Sequence, residues 1–549
     1  MPSHTPSPTA QSDQSATRSA SAPAHASAGR SAFLVAAGIF LSRIAGLVRE
    51  RILAHYFGNT FAADAFRAAL KIPNFLQNLF GEGVLSASFI PVYAKLQAEG
   101  EKEEAGRVAG AILSLLAVVT SLVVLLGVLT TPWLIAAIAP GFHGEKRQLT
   151  ILLVRILFPG VGLLVLSSWC LGILNSHGKF FLSYASPVIW NAVIVAALLW
   201  YGGKSTLSSL AVYGIWGSVA GSLLQLLVQL PVVLRLAPHI RLGWGMASQN
   251  VRTVVRNFVP VFVSRGVAQL SAYVDTVLAS PLPTGAVSAL GYAQTIYLLP
   301  VSLFGMAVSA AELPAMSRTL GNEQQVAETL RARISASTLR IAFFVVPSAM
   351  AFLALGDVVA GAIYQTGKFG RADSLYVWGI LAGSAVGLVA STVGRLYSSA
   401  YYALRDTRTP LRFAVMRVVL TTVIGYLAAL PLPKLLGLDP KWGVAGLSAS
   451  AGIAAWLEFL LLRRGMEQRI GQMKFPAAYF ARLWFSAVVA AGMAWGIRWT
   501  LRPRFHLMDD PRIAAVLLLA PYGMVYLGMT MLFGLDQART LTKRLLRAR

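Results

Sequence analysis

Cysteine is almost missing from this chain: Cys170 stands alone in 549 residues, so no disulfide can form within the chain and no cluster of thiolates can hold a metal. Cys170 lies in an apolar segment and reads as a small buried hydrophobe. Charge is scarce too. Asp, Glu, Lys and Arg make up 13% of the residues against 56% hydrophobic, with a mean hydropathy of +0.63. That balance excludes a soluble chain of this size and fits a polytopic membrane protein. Acidic groups are the scarcest, 22 against 47 Lys and Arg, for a formal net charge of +25. The basic residues sit in short clusters between apolar runs, which suits attraction to anionic lipid and control of topology better than a nucleic-acid surface. There is no GxxxxGK[ST] loop, no HExxH and no Cys/His cluster. Neither ATP hydrolysis nor a metal site is indicated, and no cofactor is expected.

Residues 1–30 are rich in Ser, Ala, Thr, Pro and Gln without an apolar run, the composition of a disordered tail rather than a secretion signal. Apolar segments follow near 32–56, 62–92, 107–138, 149–174, 181–201, 207–234, 253–280, 287–317, 334–363, 374–403, 411–432, 442–462, 476–499 and 512–535. Each is about long enough to span a core of roughly 30 Å, so an all-α polytopic protein of about 14 transmembrane helices is expected. With an internal amino terminus the inner loops and tails carry more than twice the Lys and Arg of the outer loops, which places both termini in the cytoplasm. The loop with Arg498, Arg502, Arg504 and Arg512 runs against that bias. An internal duplication is visible: Phe40-Leu-Ser42-Arg43 recurs as Phe262-Val-Ser264-Arg265, Leu79-Phe80-Gly81 as Leu303-Phe304-Gly305, and Ile90-Pro91 as Leu313-Pro314. An even number of helices separates the copies, so they are parallel repeats of the kind that flank a midplane cargo site.

The charges that remain are concentrated where they cost most. Arg43, Arg49, Glu50, Arg51, Asp64, Arg67, Lys71 and Glu82 interrupt the first two spans, and each costs roughly 2.5–3.5 kcal/mol near the bilayer centre on insertion scales. They must line a wet cavity or pair internally. Helical spacing puts Asp64, Arg67, Lys71, Asn74, Asn78 and Glu82 on one face, while Arg43 and Glu50 share a face of the preceding helix. Guanidinium groups suit phosphate because they grip two oxygens at once, so a polar, anionic cargo is expected. The competing reading is an ion-pair network that locks the two helices together. For Arg51 and His55 two readings stand side by side, membership of the charged constellation and snorkelling to the outer interface. Asp275, Arg395 and Glu458 are single charges within or near the spans, without evident partners.

A resemblance rests on these residues. Ser42-Arg43-Ile-Ala-Gly46-Leu-Val-Arg49-Glu50, Gly58, Ala63-Asp64-Ala65-Phe66, Lys71-Ile-Pro73-Asn74, Phe80-Gly-Glu82-Gly83 and Phe89-Ile-Pro91-Val92 resemble the amino-terminal signature of the MurJ/MviN lipid II flippases. Weaker matches continue in Ala139-Pro140-Gly141-Phe142, Ile173-Leu174-Asn175, Tyr364-Gln-Thr-Gly367-Lys-Phe369 and Asp406-Thr407-Arg408-Thr409-Pro410. The resemblance implies the multidrug/oligosaccharidyl-lipid/polysaccharide exporter fold, with six-helix lobes over 31–240 and 241–470 and two further helices with a basic tail over 471–549. It implies a flippase of the bacterial cytoplasmic membrane, not an enzyme, that moves lipid-linked peptidoglycan precursor from the inner to the outer leaflet in cell-wall biogenesis. Transport would draw on an ion gradient or the membrane potential. Arg43 and Arg49 would hold the diphosphate, with Glu50, Asp64, Lys71, Asn74 and Glu82 at the family's polar positions. Cell-wall synthesis enzymes are conceivable partners; nucleic acid is not.

Two departures stand out. Gln77-Asn78 follows where the family often has an arginine, and Tyr292-Ala293-Gln294-Thr295 replaces the usual Tyr-Ala-Asp-Arg of the eighth helix. Arg67 and Arg265 are expected to restore the missing positive charge from neighbouring positions. The alternatives are export of another polyprenyl-diphosphate-linked glycan, export of a small cationic drug, and a transport-inactive scaffold. A net basic cavity disfavours the drug. A membrane glycosyltransferase would need catalytic carboxylates near an outer loop, and Asp509-Asp510 is the only such pair.

Overall fold

The computed structural model describes residues 22–547 apart from 81, 246, 319–321, 474–475 and 502–505; the side chains of 22–36, 73–74, 78, 82–83, 261, 263–272, 506–507 and 544–547 also lie outside the described residues. Among the described residues the chain is helical throughout, without a strand. The first half holds α1 (Ala22–Phe57), α2 (Phe61–Phe80), α3 (Glu82–Ser88), α4 (Ile90–Ala98), α5 (Lys102–Ile138), α6 (Gly144–Ser176), α7 (Phe180–Ala185), α8 (Pro187–Tyr201) and α9 (Leu207–Leu236). The second holds α10 (Gln249–Ala279), α11 (Ala286–Pro300), a π-helical stretch Val301–Met306, α12 (Ala307–Ser317), α13 (Glu323–Tyr364), α14 (Arg371–Ala403), α15 (Arg408–Ala429), α16 (Pro431–Leu435) and α17 (Gly443–Ile470). Three helices close the chain: α18 (Ala477–Leu501), α19 (Pro511–Leu532) and α20 (Asp536–Arg547). Helix α1 starts at Ala22, so the end of the stretch expected to be disordered is helical.

Eleven helical stretches among the described residues are long and apolar enough to cross a membrane, which makes the chain a multi-pass membrane protein but does not establish a count of fourteen. The segments near 32–56, 62–92 and 253–280 are helical yet fall outside that set; charge interrupts the first two. The second is not one helix. Residue 81 lies outside the described residues, and beyond it α3 ends at Ser88 and α4 begins at Ile90 after a turn at Phe89; of the polar stripe expected from Asp64 to Glu82, the side chains of Asp64, Arg67 and Lys71 are described and those of Asn74, Asn78 and Glu82 are not.

Packing divides the core. One apolar cluster joins α1, α2, α6 and α9 around Phe57, Phe66, Leu153 and Ile215, and another joins α3, α4, α5 and α6 with the first half of α10 around Phe89, Trp169 and Val254. A third runs from the end of α10 through α11, α13, α14 and α17 into α18 and α19, and takes in Ala54, Ala68, Ala139 and Phe142 from the first half. The two halves therefore share core in two places, beside the α1–α2 turn and where the first half of α10 packs against α3 to α6. Small residues allow close approach: a Cβ on Gly387 of α14 would lie 2.3 Å from Cα of Gly452 on α17, the contact that membrane helices use when water cannot drive their association.

Pro347 in the middle of α13 removes the amide that would bond the Phe343 carbonyl four residues earlier. Tyr526 of α19 supplies the missing donor, with its hydroxyl 2.7 Å from the Phe343 oxygen, and Tyr522 donates to the Pro347 oxygen at 2.7 Å. The helix break thus creates the docking site for α19. Farther along, α13 kinks at Leu355, and the indoles of Trp378 and Trp495 donate to the Leu353 and Ala354 carbonyls at 3.0 Å each.

Candidate functional site

The charged face of α2 is split between a sealed end and an open one. At the sealed end Asp64, 1% exposed, accepts from the backbone amides of Gly285 and Ser288 at 2.8 Å each, and from Lys146 Nζ of α6 at 3.0 Å. The first two donors belong to the amides at the start of α11 that have no acceptor within the helix, where partial positive charge favours a carboxylate. Around this latch the α1–α2 turn reaches the turn after α13. Arg51 donates to the carbonyls of Ala362 and Ile363 at 3.0 and 2.7 Å, His55 Nδ1 pairs with Thr366 Oγ1 at 2.9 Å, and Lys368 N donates to the His55 carbonyl at 2.8 Å. Asn59 donates to Asp373 at 2.9 Å, and Tyr292 to the Gly58 carbonyl at 3.2 Å. Arg51 and His55 therefore do not snorkel; they tie the halves together, as does the Tyr364–Phe369 motif.

Moving along α2, Arg67 pairs with Glu50, whose other carboxylate oxygen accepts from Arg49 at 2.8 Å. The Arg67 guanidinium lies over the Tyr292 ring with 4.0 Å to its centroid, and that of Arg49 over Trp190 at 5.1 Å. Gly291 makes room for Arg67 in this position: a Cβ there would meet Arg67 Nη1 at 2.4 Å and Cζ at 2.8 Å. The Nε atoms of both arginines are buried without a hydrogen-bond partner. Next comes Lys71, whose ammonium donates to Thr276 of α10 while Tyr273 donates to the Lys71 carbonyl at 3.0 Å. Asp64, Arg67 and Lys71 thus share one face, as their spacing requires, and that face meets α10 and α11.

The open end is a cavity of about 520 Å³ lined by Ser42, Arg43, Arg49 and Glu50 of α1, Tyr184 of α7, Asn191 of α8 and Thr295 of α11. Arg43 is exposed and, among the described residues, makes no ion pair or hydrogen bond. Of the residues singled out from the sequence, the structure brings Arg43, Arg49, Glu50 and Arg67 together, and sets Lys71 beside α10. Asp64 is placed apart from the cavity, buried in the latch, because the amides at the start of α11 and Lys146 consume its oxygens. The side chains of Asn74, Glu82 and Arg265 lie outside the described residues. Arg67 sits one turn before Thr295, against the same helix that lacks the family's arginine, and Glu50 shares its charge.

Single charges without sequence neighbours find partners in space. Asp275 accepts from Gln294 of α11 at 3.1 Å, and Glu458 pairs with Arg417 at 2.9 Å. No local spacing signals either pair, since each crosses between two helices, 19 and 41 residues apart in sequence. Asp406 is structural: it accepts from the amides of Arg408 and Thr409 at 3.0 Å each, capping α15, and from Arg469 at 2.6 Å. The Thr409 hydrogen bonds, followed by Arg469, hold its carboxyl below the usual carboxylate range. Asp510 likewise caps α19 by accepting from Arg512 N at 2.8 Å, which removes it from any catalytic carboxylate pair.

The model of the family described as "Lipid II flippase MurJ" matches residues 53–515. A lipid II flippase MurJ of Burkholderia cenocepacia is 29% identical over 523 residues, 93% of this chain and 98% of that protein. A probable lipid II flippase MurJ of Rhizobium tropici is 30% identical over 449 residues, 79% of this chain and 81% of its own length. Among solved structures, a lipid II flippase MurJ in an inward closed conformation superposes with a TM-score of 0.75 at 23% identity, covering 91% of this chain and 98% of that one. An inward-facing multidrug transporter of the MATE family gives 0.60 at 16% identity, over 78% of this chain and 95% of that one.

Proposed function

The chain belongs to the MurJ family of lipid II flippases, and on that premise we propose that its open cavity takes the diphosphate of lipid II and carries it from the inner to the outer leaflet by alternating access. The observation that carries this reading is the charge of the cavity. Glu50 is shared between Arg49 and Arg67, leaving one positive charge in excess, and Arg43, without a partner among the described residues, adds a second. A diphosphate diester carries two negative charges, so the cargo neutralises the site. Arg43 and Arg49 line the cavity, and a guanidinium has five N–H donors, so Arg49 can offer further ones to phosphate oxygens while it keeps the pair to Glu50. Charge-assisted bonds of this kind are short, directional and about twice as strong as neutral ones.

The excess of Lys and Arg on one set of loops supports cytoplasmic termini. In that orientation the Asp64 latch closes the outer end, and the cavity beside Arg43 faces the cytoplasm and the inner leaflet, the state that loads cargo. Release at the outer face requires the latch to part while the cytoplasmic end closes. The chain carries no phosphate-binding loop, and the cycle draws on an ion gradient or the membrane potential rather than nucleotide. Enzymes that consume lipid II at the outer face are the partners this task calls for.

The test is rescue of cells depleted of their own lipid II flippase. The unaltered chain sustains growth, whereas Arg43→Ala, present in the membrane at equal level, does not. Rescue by both would show that Arg43 does not hold the cargo; failure of both would point to a different headgroup.

A further inference from the structure

A second polar cavity, of about 400 Å³, lies inside the second half of the chain between α10, α11, α14, α15 and α17. Helix α11 is the wall between it and the cargo cavity: Thr295 and Leu299 face the cargo side, Gln294 and Tyr297 the other, and Leu298 borders both. The charges on this second cavity and next to it can be paired off. Asp275 accepts from Gln294 and lies in the field of Lys71, and Glu458 is taken by Arg417 at 2.9 Å. Arg395 of α14 is left over. It lines the cavity, and among the described residues it makes no hydrogen bond or ion pair. The Thr421 and Ser448 hydroxyls, which also line it, are likewise uncommitted among the described residues, while Tyr297 and Ser391 bond one another at 2.6 Å.

We propose that this cavity is a binding site for a small singly charged anion, a halide or a carboxylate, held by Arg395 with Arg417, Thr421 and Ser448. An ionised guanidinium inside an apolar span needs a countercharge or water, and among the described residues no carboxylate pairs directly with Arg395; Glu458, already taken by Arg417, acts on it only through space. One excess positive charge selects a monoanion over a dianion. The donors fit as well: Arg417 spends one nitrogen on Glu458 and keeps further N–H groups, and the two hydroxyls add neutral donors. At about 30 Å³ per water the space holds a halide with several waters or a small carboxylate. A ligand here lies directly across α11 from the cargo and just ahead of the π-helical stretch at Val301–Met306.

The test uses the full chain purified in detergent, with its melting temperature followed as sodium chloride or sodium acetate is added. A specific site gives a saturable rise, and at ten times the dissociation constant the folded-to-unfolded ratio increases about elevenfold. General salt effects do not saturate and act on every variant alike. Arg395→Gln is expected to abolish the saturable part and Arg395→Lys to retain it with weaker affinity. Competition between the two salts shows whether halide or carboxylate is preferred. An identical response of wild type and Arg395→Gln, or no saturable response in wild type, overturns the proposal. Should Arg395→Gln fail to fold, the double variant Thr421→Val/Ser448→Ala takes its place, and an unchanged saturation midpoint there is equally fatal.

Discussion

Asp64→Asn should loosen the latch without touching the cavity. In the latched state the carboxylate holds two backbone amides and Lys146 within 3.0 Å. Hydrogen bonds to a charged group contribute roughly 1.5–3 kcal/mol each. Asparagine keeps one acceptor oxygen, loses the other, and leaves the Lys146 ammonium, only 13% exposed, without its carboxylate. A net loss of about 3 kcal/mol shifts the latched-to-open ratio by about two orders of magnitude. Ala68, buried at 1% in the core shared by both halves, reports the change. In a Cys170→Ala background, Ala68→Cys should react slowly with a water-soluble maleimide. Adding Asp64→Asn should accelerate labelling by about one to two orders of magnitude, since modification follows the open population when reclosing is fast. Lys146→Met should give a smaller increase, because the amide contacts survive. Unchanged labelling in a folded Asp64→Asn protein would refute the latch.

Three further outcomes are expected. Arg67→Ala should lower rescue of flippase-depleted cells, and adding Thr295→Arg, which restores the family's arginine one turn farther along α11, should recover it; no recovery would show that Arg67 does not stand in for that cation. Tyr526→Phe leaves the Phe343 carbonyl beside Pro347 unpaired and should cost about 1–2 kcal/mol, read as a lower melting temperature in detergent, while Tyr426→Phe, on an exposed face, should cost nothing measurable. Asp406 is held below its ordinary value, so its stabilisation is complete above the unfolded value of about 3.9 and is lost as pH falls through the folded one. Asp406→Asn should therefore melt below wild type at neutral pH, and the difference should shrink as the medium is acidified below about pH 4; a constant difference would argue against the cap.

Much of the fold was legible because membrane spans announce themselves by length and apolarity, and because charge within them must be accounted for. The grouping of Asp64, Arg67 and Lys71 on one face followed from spacing alone. What spacing could not supply was the identity of the facing helix. Asp64 looked like its neighbours along α2, yet its partners are backbone amides at Gly285 and Ser288, which have no side-chain signature. Arg51 and His55 looked like interfacial residues because their acceptors are mostly carbonyls. Gly291 carries no signal in the sequence, since a glycine in a helix gains meaning only when the guanidinium it accommodates is known to lie there.

The π-helical stretch Val301–Met306 adds a constraint on how the halves can move. Such turns are rare outside functional sites, and this one lies where α11 gives way to α12, beyond the part of α11 that joins the latch through Gly285 and Ser288. The helix between latch and π-turn, 288–300, carries Thr295, which faces the cargo cavity, and Gln294, which faces the second one. The polar side chains that α11 turns to the two cavities therefore sit on one stretch that would tilt as a unit if the halves parted.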